Sequence, residues 1–260
     1  MIRTLLIITG AALVLAVVTL GGAAALGGRD MARHGWAWTF RDDDGSSVSV
    51  HRADDRRIEE TSKTLAWTGG DSLIVEMAAD VEYVQGATPG VVVTGAADLV
   101  DRIRLEGNRL TMTDDGGPNN ERIVFGRRAD GRGIWVDSEQ VRVVVTAPAI
   151  HTFDLRGSSD VTLRNYDQDT LTVSQSGSGD IEATGRVRAL KLTITGSGDA
   201  DLNNLATVDA EVDLSGSGDA YVAPTGAATV SSSGSGDIEL ATRPTTLRQT
   251  STGSGDIRQN

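Results

Sequence analysis

The chain has 260 residues, 39% of them hydrophobic, enough for one sizeable core with a tail at one end. Its formal net charge of -12 argues against a phosphate-binding surface, since nucleic acid or anionic lipid needs clustered lysine and arginine, and nucleic acid is not an expected partner. With no cysteine it has no disulfide, thiolate nucleophile, cysteine metal site or lipid-modified cysteine anchor, and 31 glycines against 4% aromatic residues favour many turns over a bulky core.

Residues 4–26 are uncharged and mostly apolar, about 23 residues where roughly 20 span a bilayer as a helix. Two readings of residues 1–26 compete. The small residues Gly21, Gly22, Ala23, Ala24 and Ala25 offer a signal-peptide cleavage site, whereas the length of the apolar run exceeds that of an ordinary signal peptide and favours an uncleaved transmembrane anchor. Arginine lies on both sides, at Arg3 and at Arg29, Arg33 and Arg41, so charge does not set the orientation. Either reading places the rest of the chain outside the cytoplasmic membrane, in the cell envelope. Residues 27–66 are polar, with the mixed-charge runs 41–47 and 54–57, and are expected to form a linker or stalk. Within them Trp36, Trp38 and Phe40 alternate in a way suited to a strand or to a membrane surface.

A β-domain is expected over residues 67–260. Period-two alternation marks strands at Leu73 and Val75, at Val81 and Tyr83, and at Val91 and Val93, with no helix anticipated between residues 71 and 113. Residues 103–112 read as a hairpin turning at Glu106, Gly107 and Asn108. A Gly/Asn/Arg-rich stretch over 114–133 is expected to be a disordered or functional loop, followed by a strand at 141–145 that stops at Pro148.

From residue 151 onward the chain repeats. Six turns read Gly157-Ser158-Ser159-Asp160, Gly177-Ser178-Gly179-Asp180, Gly196-Ser197-Gly198-Asp199, Gly216-Ser217-Gly218-Asp219, Gly234-Ser235-Gly236-Asp237 and Gly253-Ser254-Gly255-Asp256, with the aspartates 20, 19, 20, 18 and 19 residues apart. Aligned on those aspartates, four positions are mainly apolar: nine before (Leu171, Leu190), seven before (Val173, Leu192), one after (Ile181, Ile238) and three after (Leu163, Leu240). Positions between them are mainly polar. Two short strands with one inward face thus flank each turn, and stacking rungs at about 4.8 Å buries the apolar columns continuously. The predicted fold is an all-β, right-handed parallel β-helix, because a rung length varying between 18 and 20 implies one regular and one variable turn. In the last rung Gln249 and Gln259 replace apolar column residues, as suits a solenoid end that meets water.

The columns, the Gly-Ser-Gly-Asp turns and the preceding run from Leu73 to Met112 resemble the GIN domain family, known as auto-transporter adhesin heads and as a domain of unknown function. The resemblance covers roughly residues 66–260, about three quarters of the chain. It implies a bacterial, envelope-exposed right-handed β-helix and brings no catalytic residues with it. The first turn departs from the pattern, with Ser159 where later copies have glycine.

The turn ladder Asp160, Asp180, Asp199, Asp219, Asp237 and Asp256 admits two readings. Glycine-rich nonapeptides with recurrent aspartate bind calcium, but they carry a loop on both sides at half this period, so the expected role is structural: glycine supplies unusual backbone angles and Asp and Ser bond local amides. No catalytic, cofactor-binding or metal residue is assigned. Asp167 and Asp169, beside Tyr166, break the repeat and are the one candidate carboxylate pair for polysaccharide cleavage, yet a solvated turn explains them. His34, His51 and His151 are too scattered for a metal motif, and no Gly-x-Ser-x-Gly elbow occurs. The expected function is that of a noncatalytic, adhesin-like or scaffolding envelope protein held to the membrane by its N-terminus, with a glycan or an envelope protein as partner. An accessory role in envelope-stress sensing is the alternative.

Overall fold

The computed structural model describes residues 37–41, 47–52, 60–113, 121–128, 131–138 and 141–259. In chain order the first strands are β1 (Ala37–Arg41), β2 (Ser47–Arg52), β3 (Glu60–Leu65), β4 (Ser72–Glu76), β5 (Asp80–Gln85) and β6 (Gly90–Ala96). A short helix α1 (Ala97–Arg102) follows, then β7 (Ile103–Glu106), β8 (Arg109–Met112), β9 (Glu121–Arg128), β10 (Gly131–Ser138), β11 (Arg142–Ala147) and β12 (Thr152–Arg156). Three long strands come next, β13 (Asp160–Gln175), β14 (Ile181–Ile194) and β15 (Ala200–Leu214). The chain continues through β16 (Ala220–Pro224), β17 (Ala227–Ser232), β18 (Ile238–Leu240), β19 (Thr246–Ser251) and β20 (Ile257–Gln259).

These elements divide into two compact units, Met1–Arg57 with Gly116–Glu139, and Ile58–Asp115 with Gln140–Asn260. In the first unit β1, β2, β9 and β10 form a four-stranded sheet in that order. Two expectations are corrected here. Part of the linker assigned to residues 27–66 is strand, at β1, β2 and β3, and much of the loop assigned to 114–133 is the hairpin of β9 and β10. Arginine and glycine interrupt the apolar pattern of these strands often enough to imitate linker composition, while Ile123 and Phe125, and Ile134 and Val136, keep the two-residue period of a sheet. The N-terminal segment 1–26, read as a signal peptide or an anchor helix, lies outside the described residues. Among the described residues no helix is long and apolar enough to cross a membrane.

The second unit is a β-solenoid of about 5 turns. Parallel pairing runs without interruption from β4 through β12, β13, β14 and β15 to β17 and β19 on one side of the Gly-Ser-Asp corner, and from β5 through β13, β14, β15, β16 and β18 to β20 on the other. The expected apolar columns are the core: Phe153, Val173, Leu192, Val212 and Val230 stack in one, and Leu163, Ala183, Leu202, Val222 and Leu240 in another, all buried. A further inward column, five residues before each aspartate, holds Leu155, Gln175, Ile194, Leu214 and Ser232.

The variable turn is not a loop in the three middle rungs. β13, β14 and β15 run straight through it, each with a register shift, after Leu163, Glu182 and Leu202 respectively. A bulge adds a residue without ending the strand, and so absorbs differences in rung length. Asn165 (φ 52°) and Gly185 (φ 128°) supply the left-handed backbone that this bend requires.

The N-terminal end of the solenoid is antiparallel. β6 lies between β3 and β11, and β7 with β8 forms the hairpin anticipated at residues 103–112, with Gly107 at φ 63°. The absence of helix expected over residues 71–113 is corrected by α1, whose Leu99 and Val100 are buried. At six residues it is too short to announce itself by a 3.6-residue period. Tyr83 and Tyr166 join this end to the repeats. Tyr83 packs edge-on against Phe153 at 5.4 Å, donates its hydroxyl to Ala147 O (3.1 Å) and accepts from Ile150 N (3.3 Å). The Tyr166 hydroxyl lies within bonding distance of the carbonyls of Ile150 (3.0 Å) and Thr170 (2.7 Å).

Candidate functional site

The Gly-Ser-Asp corner is the most regular chemistry on the surface, and its residues engage the neighbouring rung rather than their own. Each ladder aspartate but the last accepts, through Oδ1, the backbone N–H of the next: Asp180 N to Asp160 (2.9 Å), Asp199 N to Asp180 (2.9 Å), Asp219 N to Asp199 (2.7 Å), Asp237 N to Asp219 (2.8 Å) and Asp256 N to Asp237 (2.8 Å). The expectation of bonds within each turn is thereby corrected. An aspartate at this position satisfies an amide that the corner would otherwise leave to water, and does so one rung along the axis.

Glycine is required for a second reason that the sequence did not disclose. Among the turn glycines only Gly157 has a positive φ, at 111°. At the others a Cβ would overlap the preceding rung: at Gly177 it would meet Gly157 O, at Gly196 Gly177 O, at Gly216 Gly196 O, and at Gly198 and Gly218 the carbonyls of Gly179 and Gly198. Close approach of backbone to backbone, rather than unusual angles, dictates the residue. The departure at Ser159 follows from the same geometry. The turn beneath it is Met77, Ala78 and Ala79, built differently, and the Ser159 hydroxyl donates to Met77 O.

One buried polar side chain is incompletely bonded. Gln175 is 2% exposed, its Nε2 donates to Gly179 O, and its Oε1 has no partner. Its column neighbours Leu155, Ile194 and Leu214 are apolar.

Two shallow grooves lie on the solenoid surface. The first, of about 470 Å³, follows the ladder and includes Asp160, Asp180, Asp199, Glu182, Asp201 and Tyr221. It is strongly acidic, and the Asp219 carboxylate beside Tyr221, ahead of partial burial, raises the phenol pKa. At the C-terminal end of this ladder Arg258 bridges Asp237 (3.0 Å) and Asp256 (2.7 Å). Among the described residues no three His, Asp or Glu side chains are grouped to hold a metal ion.

The second groove, of about 630 Å³, lies on the bulged side and includes Asp167, Asp169, Arg186, Arg188, Ala206 and Val208. Here the repeat is broken, as the sequence indicated, but the two carboxylates do not form a pair with each other. Arg186 makes two bonds to Asp167 (2.8 and 2.6 Å), and Arg188 stands 3.6 Å from Asp169. The Arg186 bonds hold the Asp167 carboxyl below the usual carboxylate range, opposite to the shift a general acid needs. His151 is half-buried in its column and bonds Gln168 (3.2 Å), far in sequence from His34 and His51.

Parallel rungs in constant register around a single glycine corner define the class: a β-solenoid. A family model described as "Putative auto-transporter adhesin, head GIN domain" matches residues 71–244, well over half of the chain, and the chain belongs to that family. Among solved structures, a "putative adhesin" from Bacteroides fragilis is similar at 15% identity and a TM-score of 0.58, over 80% of this chain and 99% of that one, which establishes a shared fold. A "putative lipid binding protein" and a "putative adhesin", both from Parabacteroides distasonis, match at 17% identity with TM-scores of 0.41 and 0.40, each over 81% of this chain and 99% and 100% of theirs. No curated protein matches the sequence.

Proposed function

We propose that this chain is a noncatalytic cell-envelope protein that presents a right-handed β-solenoid outside the cytoplasmic membrane, on an N-terminal apolar tether, for adhesion or scaffolding. The hand is the one that parallel strand crossovers adopt. The observation that carries the reading is the use of the ladder: its carboxylates are spent rung after rung on the amides of the next rung, so the most conspicuous acidic array serves architecture. Catalysis needs an exception to a repeat, and in the exception singled out from the sequence, Asp167 with Asp169, each carboxylate faces an arginine instead of the other carboxylate. Membership of the adhesin-head family and the apolar segment 4–26 support the envelope location.

Crosslinking in intact cells, followed by fractionation and identification of the adducts, tests the proposal. Adducts to surface glycan or to an envelope protein, together with saturable binding of that partner by the purified protein, are the expected result. Adducts confined to a membrane regulator favour the stress-sensing alternative, and release of sugar fragments by the purified protein overturns the noncatalytic reading. If the ladder is structural, adding a chelator or millimolar calcium leaves the thermal unfolding midpoint unchanged; a calcium-dependent rise of several degrees makes it a cation site.

A further inference from the structure

The bulged side of the solenoid changes character at its third long strand. There β13 and β14 present two outward columns, Asp167 followed by Arg186 and Asp169 followed by Arg188, and β15 continues them with Ala206 and Val208 instead of charge. The next rung does not cover that ledge. It is two residues shorter, with Asp219 and Asp237 18 residues apart where Asp199 and Asp219 are 20 apart, and it pairs with Thr207 and Val208 through Pro224, Thr225 and Gly226. A Cβ at Gly226 would strike Asp209 Oδ1 and crowd Val208, so the turn carries no side chain at that point. Val208 is left 45% exposed. The groove of about 630 Å³ thus has Ala206 and Val208 at its middle, with the two arginines on one side and Thr225 on the other.

The arginines here have donors to spare. Arg186 gives Nε and Nη2 to Asp167, which leaves Nη1 unspent. Arg188 stands 3.6 Å from Asp169, beyond hydrogen-bond reach, whereas Arg142 holds Glu82 at 2.6 Å and Arg258 holds Asp256 at 2.7 Å. The Arg188 and Asp169 side chains are also 67% and 85% exposed, and a pair so loose and so wet is exchanged at little cost. Two guanidiniums two residues apart on one strand, roughly 7 Å, with hydrocarbon alongside, can take one carboxylate and the ring that carries it. Gln168, Thr225 and the two aspartates supply donors and acceptors for ring hydroxyls, while Ala206 and Val208 suit the C–H face of a sugar. Those same aspartates balance the arginines, which admits a single carboxylate and disfavours a phosphate dianion.

We propose that this groove binds a carboxylate-bearing sugar unit of an acidic glycan. Arg188 turns from Asp169 to the sugar carboxylate, Arg186 is held by Asp167 as a fixed second donor, and Val208 lies against the ring. The proposal rests on the adhesion reading given above and deepens it by naming the surface and the class of glycan.

The test titrates the full chain, in detergent micelles, with tetragalacturonate and tetramannuronate and with the methyl ester of each, following backbone and arginine side-chain N–H resonances. Saturable shifts centred on Arg186, Arg188, Ala206 and Val208, with a Kd on the order of 1 mM for at least one acid and none for the esters, are the expected result. Arg188→Gln is expected to weaken binding at least about tenfold and Val208→Ser about threefold. Arg248→Gln, exposed on the last rung, is the reference and leaves it unchanged. Undiminished binding in Arg188→Gln, or equal binding of the esters, overturns the assignment. Absence of shifts with both acids also overturns it, while glycan adducts in the crosslinking experiment then still uphold adhesion through another surface. Binding here without glycan adducts in cells removes the adhesion reading and leaves the groove's chemistry standing.

Discussion

At the residue scale, stacking rather than local conformation decides what the corner tolerates. Gly216 sits where a Cβ would strike Gly196 O, whereas a Cβ at Gly90 meets nothing within 4 Å. Gly216→Ala is therefore expected to destabilise the solenoid by about 3 kcal/mol or more, since neither backbone can withdraw without breaking the ladder. Gly90→Ala is expected to be neutral or to stabilise by up to about 1 kcal/mol by narrowing the unfolded ensemble. Urea unfolding of the pair measures the contrast, and equal midpoints would show that the rungs do not approach as described. Gln175 makes the opposite case. Its Oε1 is buried without a partner in a column otherwise filled there by leucine and isoleucine. Gln175→Leu is expected to raise stability by about 1 to 2 kcal/mol on removing that desolvation cost.

At the scale of the element, each rung is a unit that its neighbours complete. β14 and β15 pair in parallel along nearly their whole length, with the register broken only at the bulge. Deleting residues 197–216 joins Gly196 to Ser217 and removes one period, leaving equivalent corners and columns to meet. A folded protein with the same far-ultraviolet signature and lower stability is expected, as nearest-neighbour coupling demands. Loss of cooperative unfolding in this variant, followed by circular dichroism during denaturation, would argue that the three long strands fold only as a set. The bulge explains why the sequence read these strands as shorter than they are. Alternation breaks at the register shift, so a pattern of period two loses phase where the hydrogen-bonded strand continues.

For the whole molecule, the two tyrosines at the junction between the antiparallel end and the repeats bear on the pH range of stability. Burial raises the phenol pKa of both Tyr83 and Tyr166, and at Tyr166 the neighbouring Tyr83 adds to it. A phenol whose folded pKa exceeds the unfolded value, about 10, contributes stability that is whole below that pH and is lost as the pH rises through and beyond it. Stability is thus expected to decline above about pH 10, and Tyr166→Phe to flatten that decline while costing stability at neutral pH through the lost bonds to Ile150 and Thr170. Thermal midpoints between pH 7 and 11 for the two chains decide it. On the acid side Arg109 and then Arg156 hold the Glu76 carboxyl low, so the advantage of that cluster is present above the ordinary carboxylate range and disappears as the pH falls below it.

By itself the sequence determined the solenoid, four of its inward columns and the six Gly-Ser-Asp corners, because a recurring period of 18 to 20 residues leaves few other ways to bury those apolar positions. The hairpin at residues 103–112 was legible for a similar local reason, its turn chemistry. Tertiary structure alone decided why the corner is glycine and aspartate. A clash with a carbonyl some 20 residues away, and an amide equally distant that needs an acceptor, are properties of stacking and leave no mark on local sequence. It also decided that residues 121–128 and 131–138 form strands, since their alternation gains meaning only when β9 finds β2 about 70 residues earlier. Short-range pattern records what a segment can bury; the partner that buries it is settled only when distant segments meet.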